Sequence, residues 1–381
     1  MEQDHVDQFA RPAADLRSRR GIVRLFGGVL AAGGALGGAI ASGRAAPHSK
    51  HDAAKKKGKG HKCPKCRRCG KQCCPNGQQC AGGCVTPCAS GGCGDFPAAC
   101  SLFPADNVWR ARVDALDLDA NSAAYVASIG ASAGLHPDFG SGGIGIPFIA
   151  IDGGVTPVDV AFEFADESDP GPYPLPPDAP IEAGPCDNGD RHVLVVDAGT
   201  CTLYELFDAT PRADGSWTAG SGAIFHLDAN ALRPSGWTSA DAAGLPILPG
   251  LVRFDEVAAG EIAHALRFTA PLTRDAFVWP ARHSASSSDD ANLPPLGQRF
   301  RLRADFDLSG FSDPNRVILT ALQRYGMFLA DNGSAWFLSG APDDRWDNDD
   351  LHALQTGVLG SDFEAVDESS LQVDPDSGQV R

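Results

Sequence analysis

No lysine follows Lys71 in a chain of 381 residues. From Ser101 onward 16 arginines stand against 42 acidic residues, a balance of −26. So acidic a body repels nucleic acid and anionic membrane surfaces, which excludes nucleic-acid binding by the C-terminal part and favours a monomer. Internal repetition is missing too. No period of about 20–50 residues recurs, so solenoids and propellers are excluded. Helical periodicity is scarce, and a parallel α/β sheet, which needs a helix in each gap, is excluded with it. Gly (44) and Pro (28) are frequent and 43% of residues are hydrophobic, which points to a sizeable core built from short strands and many turns.

The N-terminus sets the compartment. In "LRSRRGIVRLFGGVLAAGGALGGAIASGRAAP" the pair Arg19–Arg20 follows Ser18, with Ile22 and Arg24 completing S-R-R-x-[FI]-x-[KR]. A weakly apolar Gly/Ala-rich run from Leu25 to Gly43 ends in small residues. Residues 1–46 therefore resemble a twin-arginine export signal, and an uncleaved signal would instead serve as a short membrane anchor. No cysteine follows closely, so a lipoprotein anchor is not indicated. The expected location is secreted, periplasmic or cell-surface, with no stable membrane insertion once the signal is removed.

Residues 47–62 are basic and polar, a solvated linker or a tether to an anionic wall. Residues 63–100 hold ten cysteines. The gaps in Cys63-x-x-Cys66-x-x-Cys69 suit zinc, but outside the cytoplasm an even, dense set reads as a disulfide-stapled module. Residues 101–381 are globular. There the remaining cysteines, Cys186 and Cys201, flank one strand, and a bond between them is expected.

Strands are predicted over Ile144–Asp152, Val158–Phe164, His192–Val196, Thr202–Phe207, Gly222–Leu227, Gly250–Glu256, Glu261–Phe268, Ala276–Pro280 and Gln298–Phe306. One helix is clear, capped at Ser312 or Asp313 and ended by Gly326; a weaker one covers Asn121–Ile129. The Pro-rich Asp166–Pro185 is a long ordered loop. The pattern predicts a mainly β fold, an antiparallel jelly-roll-like β-sandwich with one or two short helices.

Polar residues interrupt apolar rows at two places. In "GDRHVLVVDAGTCTLYELFDA", His192 alternates with Leu194 and Val196, and Glu205 with Leu203 and Phe207. In "GLVRFDEVAAGEIAHALRF", read as a hairpin, Glu256 and His264 fall on one face. An unpaired carboxylate in such a row costs several kcal/mol or titrates to neutral, so the four should meet one another, a ligand or a metal. A satisfied core hydrogen bond is the plainer alternative. His283 is read as loop surface near a possible groove and His226 is ambiguous. Trp237 and Trp279 are sugar platforms or core, and Asp331 opens an Asp-Asn-Gly turn. The acidic "DDRWDNDD" reads as a solvated turn.

The motifs "GDRHVLVV…LYELFDA", "GWTSADAAGLPILPGLVR", "GEI-x-HAL" and "RYGM-x-x-ADNGS-x-W" resemble a family of secreted bacterial proteins, common in actinobacteria, that has no settled activity. The resemblance covers Phe103 to Asp367 and implies an exported single-domain body. It supplies no catalytic residue.

These residues suggest a secreted carbohydrate-active enzyme, a glycoside hydrolase acting on a polysaccharide or cell-wall glycan. Glu205 and Glu256 would be acid and base or nucleophile, His192 and His264 would tune them, and Asp190 is a further candidate. Trp237, Trp279, His283 and Asp331 would line the substrate. No cofactor is expected in that case. The alternatives are a cupin-like centre with one divalent metal ion on the two His and two Glu, and a non-catalytic cell-surface glycan-binding protein.

Overall fold

The structure is a computed structural model that describes residues 68–381 other than 70, 76, 77, 82, 90–92 and 188. The export signal at Arg19–Arg20, the basic linker, Cys63 and Cys66 lie outside these residues. No helix among the described residues is long and apolar enough to cross a membrane.

Strand alternation builds two cores. In Val193–Asp197 and Thr202–Phe207, Leu194, Val196 and Leu203 face the main core, while Val193, Val195 and Leu206 face a smaller one. These strands pair antiparallel, with Leu194 opposite Glu205. Ser221–His226 joins one side and Phe148–Ile151 the other, completing a four-stranded sheet. A six-stranded sheet follows the order Phe363–Ala365, Arg299–Leu302, Met327–Asn332, Leu266–Ala270, Phe337–Ser339, His136–Asp138. Its Phe268, Phe300 and Leu329 share the main core with Leu194 and Val196, so the two sheets bury one face each in common.

The fold is mainly β. Pairing is mixed rather than uniformly antiparallel. Phe148–Ile151 runs parallel to Val193–Asp197, and Leu266–Ala270 runs parallel to Met327–Asn332. Long connections between these strands, carrying loops and a helix, allow it.

Four α-helices occur among the described residues, two more than expected: α1 Ser122–Ile129, α2 Phe254–Ala259, α3 Asp313–Arg324 and α4 Asn348–Gly357. In α3 the Ser312 hydroxyl accepts from the Asn315 N–H, and Ile318, Leu319 and Leu322 bury its apolar stripe. Gly326 ends it at φ 65°, where a Cβ would lie 2.3 Å from the Phe300 carbonyl oxygen. In "DDRWDNDD" Asp344 and Arg345 form the expected turn, but helix α4 takes over from Asn348. Asp347 caps the N–H groups of Asp349 and Asp350, and these acids occupy the first turn, where the helix dipole favours negative charge.

The hairpin over Gly250–Phe268 is also corrected. Leu248–Gly250 is a 3-10 turn, Phe254–Ala259 is α2, and the strand begins only at Leu266. Asp255 and Glu256 in the first turn, and Gly260 at φ 87° after the last, are helix signals that the alternation of Val252 and Phe254 masked. Ala276–Pro280 holds only a bridge from Phe277 to Leu296.

The Cys-rich segment is disulfide-bonded and docks on the body. Cys69–Cys80, Cys74–Cys84 and Cys88–Cys93 staple it, the buried Gln79 amide donates to the carbonyls of Pro177 and Ala179, and Cys93 bridges Ile149. It thereby covers one edge of the four-stranded sheet. The Pro-rich loop covers the other, where Asp169 accepts from the Ile224 N–H. Both edges are closed to further strands.

The expected Cys186–Cys201 bond does not form: Cys201 pairs with Cys100, 101 residues away. Cys186 is bonded elsewhere. The reason is geometric, because Cys186 precedes strand Val193–Asp197 and Cys201 follows its far end. Five residues at about 3.3 Å each separate the two by more than a disulfide can span. Closing the longer loop contributes on the order of 5 kcal/mol.

Candidate functional site

The motif "TSADAAGLPILPGLVR" explains the polar residues. Thr238–Arg253 is buried without a break, and its only regular element is the turn at Leu248–Gly250. Irregular backbone at that depth must find hydrogen-bond partners outside itself. Side chains supply many of them.

Glu205, fully buried on the inner face of its strand, accepts from the Ile247 N–H at 2.9 Å and the Leu248 N–H at 2.9 Å. Burial pushes its carboxyl up to about 7, against the pull of those two N–H groups. His192 does not meet Glu205. Its Nδ1 lies 2.7 Å from Glu182 Oε2 and its Nε2 lies 3.2 Å from the Ala240 carbonyl. Both neighbours are acceptors, so the ring donates twice and is an imidazolium. Burial opposes that charge, but Glu182 overrides it and the group is pushed up to about 9. Glu182 in turn stays below the ordinary carboxylate value: burial works against ionisation and His192 outweighs it. Sequence reasoning missed Glu182. It sits in the Pro-rich loop, where no periodicity marks a side chain as inward.

Asp331 and His283 hold the same segment. Asp331 ends strand Met327–Asn332 rather than opening a tight turn, and its Oδ2 accepts from the Ala242 N–H at 3.3 Å. His283 is half-buried, with Nδ1 2.8 Å from the Ala242 carbonyl and Nε2 3.7 Å from Glu167. Asp241, inside the segment, takes Arg267 in a two-point pair at 3.0 and 3.1 Å, and Arg267 also donates to Ser339. Burial pushes the Asp241 carboxyl up to about 6 against the charge of Arg267.

Glu256 and His264 do meet. Glu256 on α2 lies 3.1 Å from His264 Nε2 and 2.8 Å from an Arg253 nitrogen. The expected contact exists by another route, a helix against the approach to strand Leu266–Ala270. This cluster is separate in its bonding from the Glu205–His192 group. Trp237 is half-buried with the Arg233 guanidinium 5.5 Å from its ring, and Trp279 donates to the Ser377 carbonyl. Both rings are engaged within the protein.

One place combines charge with solvent. Asp138 ends the edge strand His136–Asp138 beside Ser339, and its surface is open. Protein crowds the other sides of its carboxyl, and this loss of water, more than the charge of Glu182, pushes it up to about 6. Arg267 opposes the shift, Asp190 adds to it, and solvent on the open side limits it. Asp190 is itself exposed and acts on His192. Here a carboxyl raised to about 6 feels the charge of Glu182, whose own carboxyl is lowered.

The imidazoles do not suit a metal. His192 and His264 each have both nitrogens against oxygen acceptors, His264 facing Glu256 and the Ala265 carbonyl, so neither ring directs a free lone pair outward. No group of three or more His, Cys, Asp or Glu arranged to hold a metal occurs among the described residues. A crevice lined by Trp109, Phe225, Arg233 and Leu245 measures about 10 Å³, room for a single water.

Comparison with protein-family models, with curated proteins and with solved structures returns no match.

Proposed function

We propose that this is an exported protein that acts on an extracellular polysaccharide through the carboxyl pair Asp138 and Glu182. The twin-arginine pattern at Arg19–Arg20 supports the export route, and the disulfides support an oxidising destination. What supports the activity is the contrast in environment between two carboxyls, one of which feels the charge of the other. Asp138 is raised and open to solvent, while Glu182 is lowered and held by His192. Environments that push two carboxyls apart assign acid and base. Asp138 would protonate a glycosidic oxygen, and Glu182 would activate water or attack the sugar. His192 positions Glu182 and keeps it ionised. Glu205 and Glu256, the pair favoured by alternation, have their oxygens committed inside the protein and take no part.

The test is release of reducing ends from a polysaccharide panel by the full chain. Asp138→Asn and Glu182→Gln should each lower turnover by at least about 100-fold, the scale of general acid–base catalysis. Activity retained in both variants would end the reading. A second reading, a non-catalytic glycan-binding protein, is favoured by the internal commitment of Glu205, Glu256, His192 and His264. It predicts glycan binding unchanged by the same two substitutions.

A further inference from the structure

A different cluster carries an inference independent of the Asp138 reading. Arg253, the residue just before α2, is 3% exposed, yet its Nη1 has no hydrogen-bond partner. Its Nε has only Asp255 at 3.5 Å, without a hydrogen bond, and only Nη2 is spent, on Glu256 at 2.8 Å. A guanidinium carries five N–H donors in a fork shaped for a carboxylate, and leaving a buried donor unmet is costly. What covers it is an aromatic ring. Phe96 lies 5.0 Å from the guanidinium carbon.

Phe96 belongs to a strap, Cys93–Cys100, that is not part of the body's sheets. The strap is pinned at one end by Cys88–Cys93 and the Gly94 N–H to Phe148, and at the other by Cys100–Cys201. Between these points Phe96 is only half-buried, and Asp95 and Ala98 are exposed. Beside Arg253 stand His264 on Glu256 and, on the same helix, Phe254 with the Arg345 guanidinium 4.4 Å from its ring.

We infer that Arg253 is the anchor of a binding site for a small carboxylate, and that Phe96 on the strap is its cover. The ring occupies the face of the guanidinium, a position a ligand's apolar body could take, while the unspent N–H groups wait for an anion. A single-carboxylate ligand such as one uronic acid unit fits the chemistry. A polyanion does not, because the body from Ser101 carries −26.

The experiment is calorimetric titration of the full-length protein and its Phe96→Ala variant with glucuronate and, as a neutral control, glucose. The variant should bind glucuronate at least ten-fold tighter than the unmodified protein and show no affinity for glucose. Adding Arg253→Gln to Phe96→Ala should abolish the gain. Phe96→Leu retains bulk and serves if the alanine variant does not fold, with a smaller gain of the same sign. Equal affinity in the covered and uncovered proteins, or a gain that survives Arg253→Gln, would overturn the assignment.

Discussion

The two polar clusters look alike in sequence, a His and a Glu in apolar rows, and differ in what they do. Around Thr238–Arg253, the side chains of Glu205, His192 and Asp331 terminate backbone groups of a buried segment that has no ladder of its own. At α2, Glu256 takes His264 and one Arg253 nitrogen at a helix start, and the rest of the guanidinium is unspent. The first cluster substitutes for secondary structure. The second joins side chains to one another and, apart from the His264 bond to the Ala265 carbonyl, holds no backbone group. A buried polar side chain is thus better interpreted by asking which backbone lacks partners nearby than by pairing it with the closest opposite charge.

If that contrast is right, the first cluster should be far more costly to break. His192→Ala removes the partner of Glu182 and of the Ala240 carbonyl together. A loss of about 3–5 kcal/mol is expected, the scale for stripping one member from a buried ion pair. Urea unfolding followed by tryptophan fluorescence measures it, and a loss under about 1 kcal/mol would place His192 outside the structural scaffold. Glu205→Gln comes next. The amide keeps one acceptor but turns its NH2 toward the N–H groups of Ile247 and Leu248, at a cost of about 1–3 kcal/mol.

Much of the fold was legible because burial imposes periodicity. Leu194, Val196, Leu203 and Phe268 announced their faces, and Ser312, Pro314 and Gly326 announced α3. The inward position of Glu205 and His192 was legible for the same reason. Their partners were not. Glu182 lies in an aperiodic loop, and Ile247 and Leu248 use backbone groups that no side-chain pattern reports. Helix α2 failed for the opposite reason: Val252 and Phe254 fit a strand period, while Phe254 and Val257 fit a helical one equally well. Asp138, the residue now central to the proposed chemistry, sits at a strand end beside Gly140 and carries no pattern at all.

The pH response sharpens the contrast further, because the two clusters titrate differently. His192 rises from an ordinary value near 6.5 to about 9, so its contribution is complete below pH 6.5 and is lost as pH climbs through 9. Glu205, raised to about 7, adds a cost in the same direction, since the unfolded chain ionises it first as pH rises above 4.5. Glu182 acts on the other side: its lowered value gives stability above about 4.5 that is lost as pH falls. Wild-type stability should therefore fall from about pH 4.5 to 7 through Glu205 and from about 6.5 to 9 through His192, and Glu205→Gln should flatten the part between about 4.5 and 7. The smallest effect belongs to α2. Glu256→Gln is nearly isosteric and retains an oxygen acceptor for Arg253, so about 1 kcal/mol is expected, with the alkaline slope unchanged. Should Glu256→Gln instead remove that slope, the ion group at α2 would be the true pH-sensitive element, and the division of labour between the two clusters would have to be reversed.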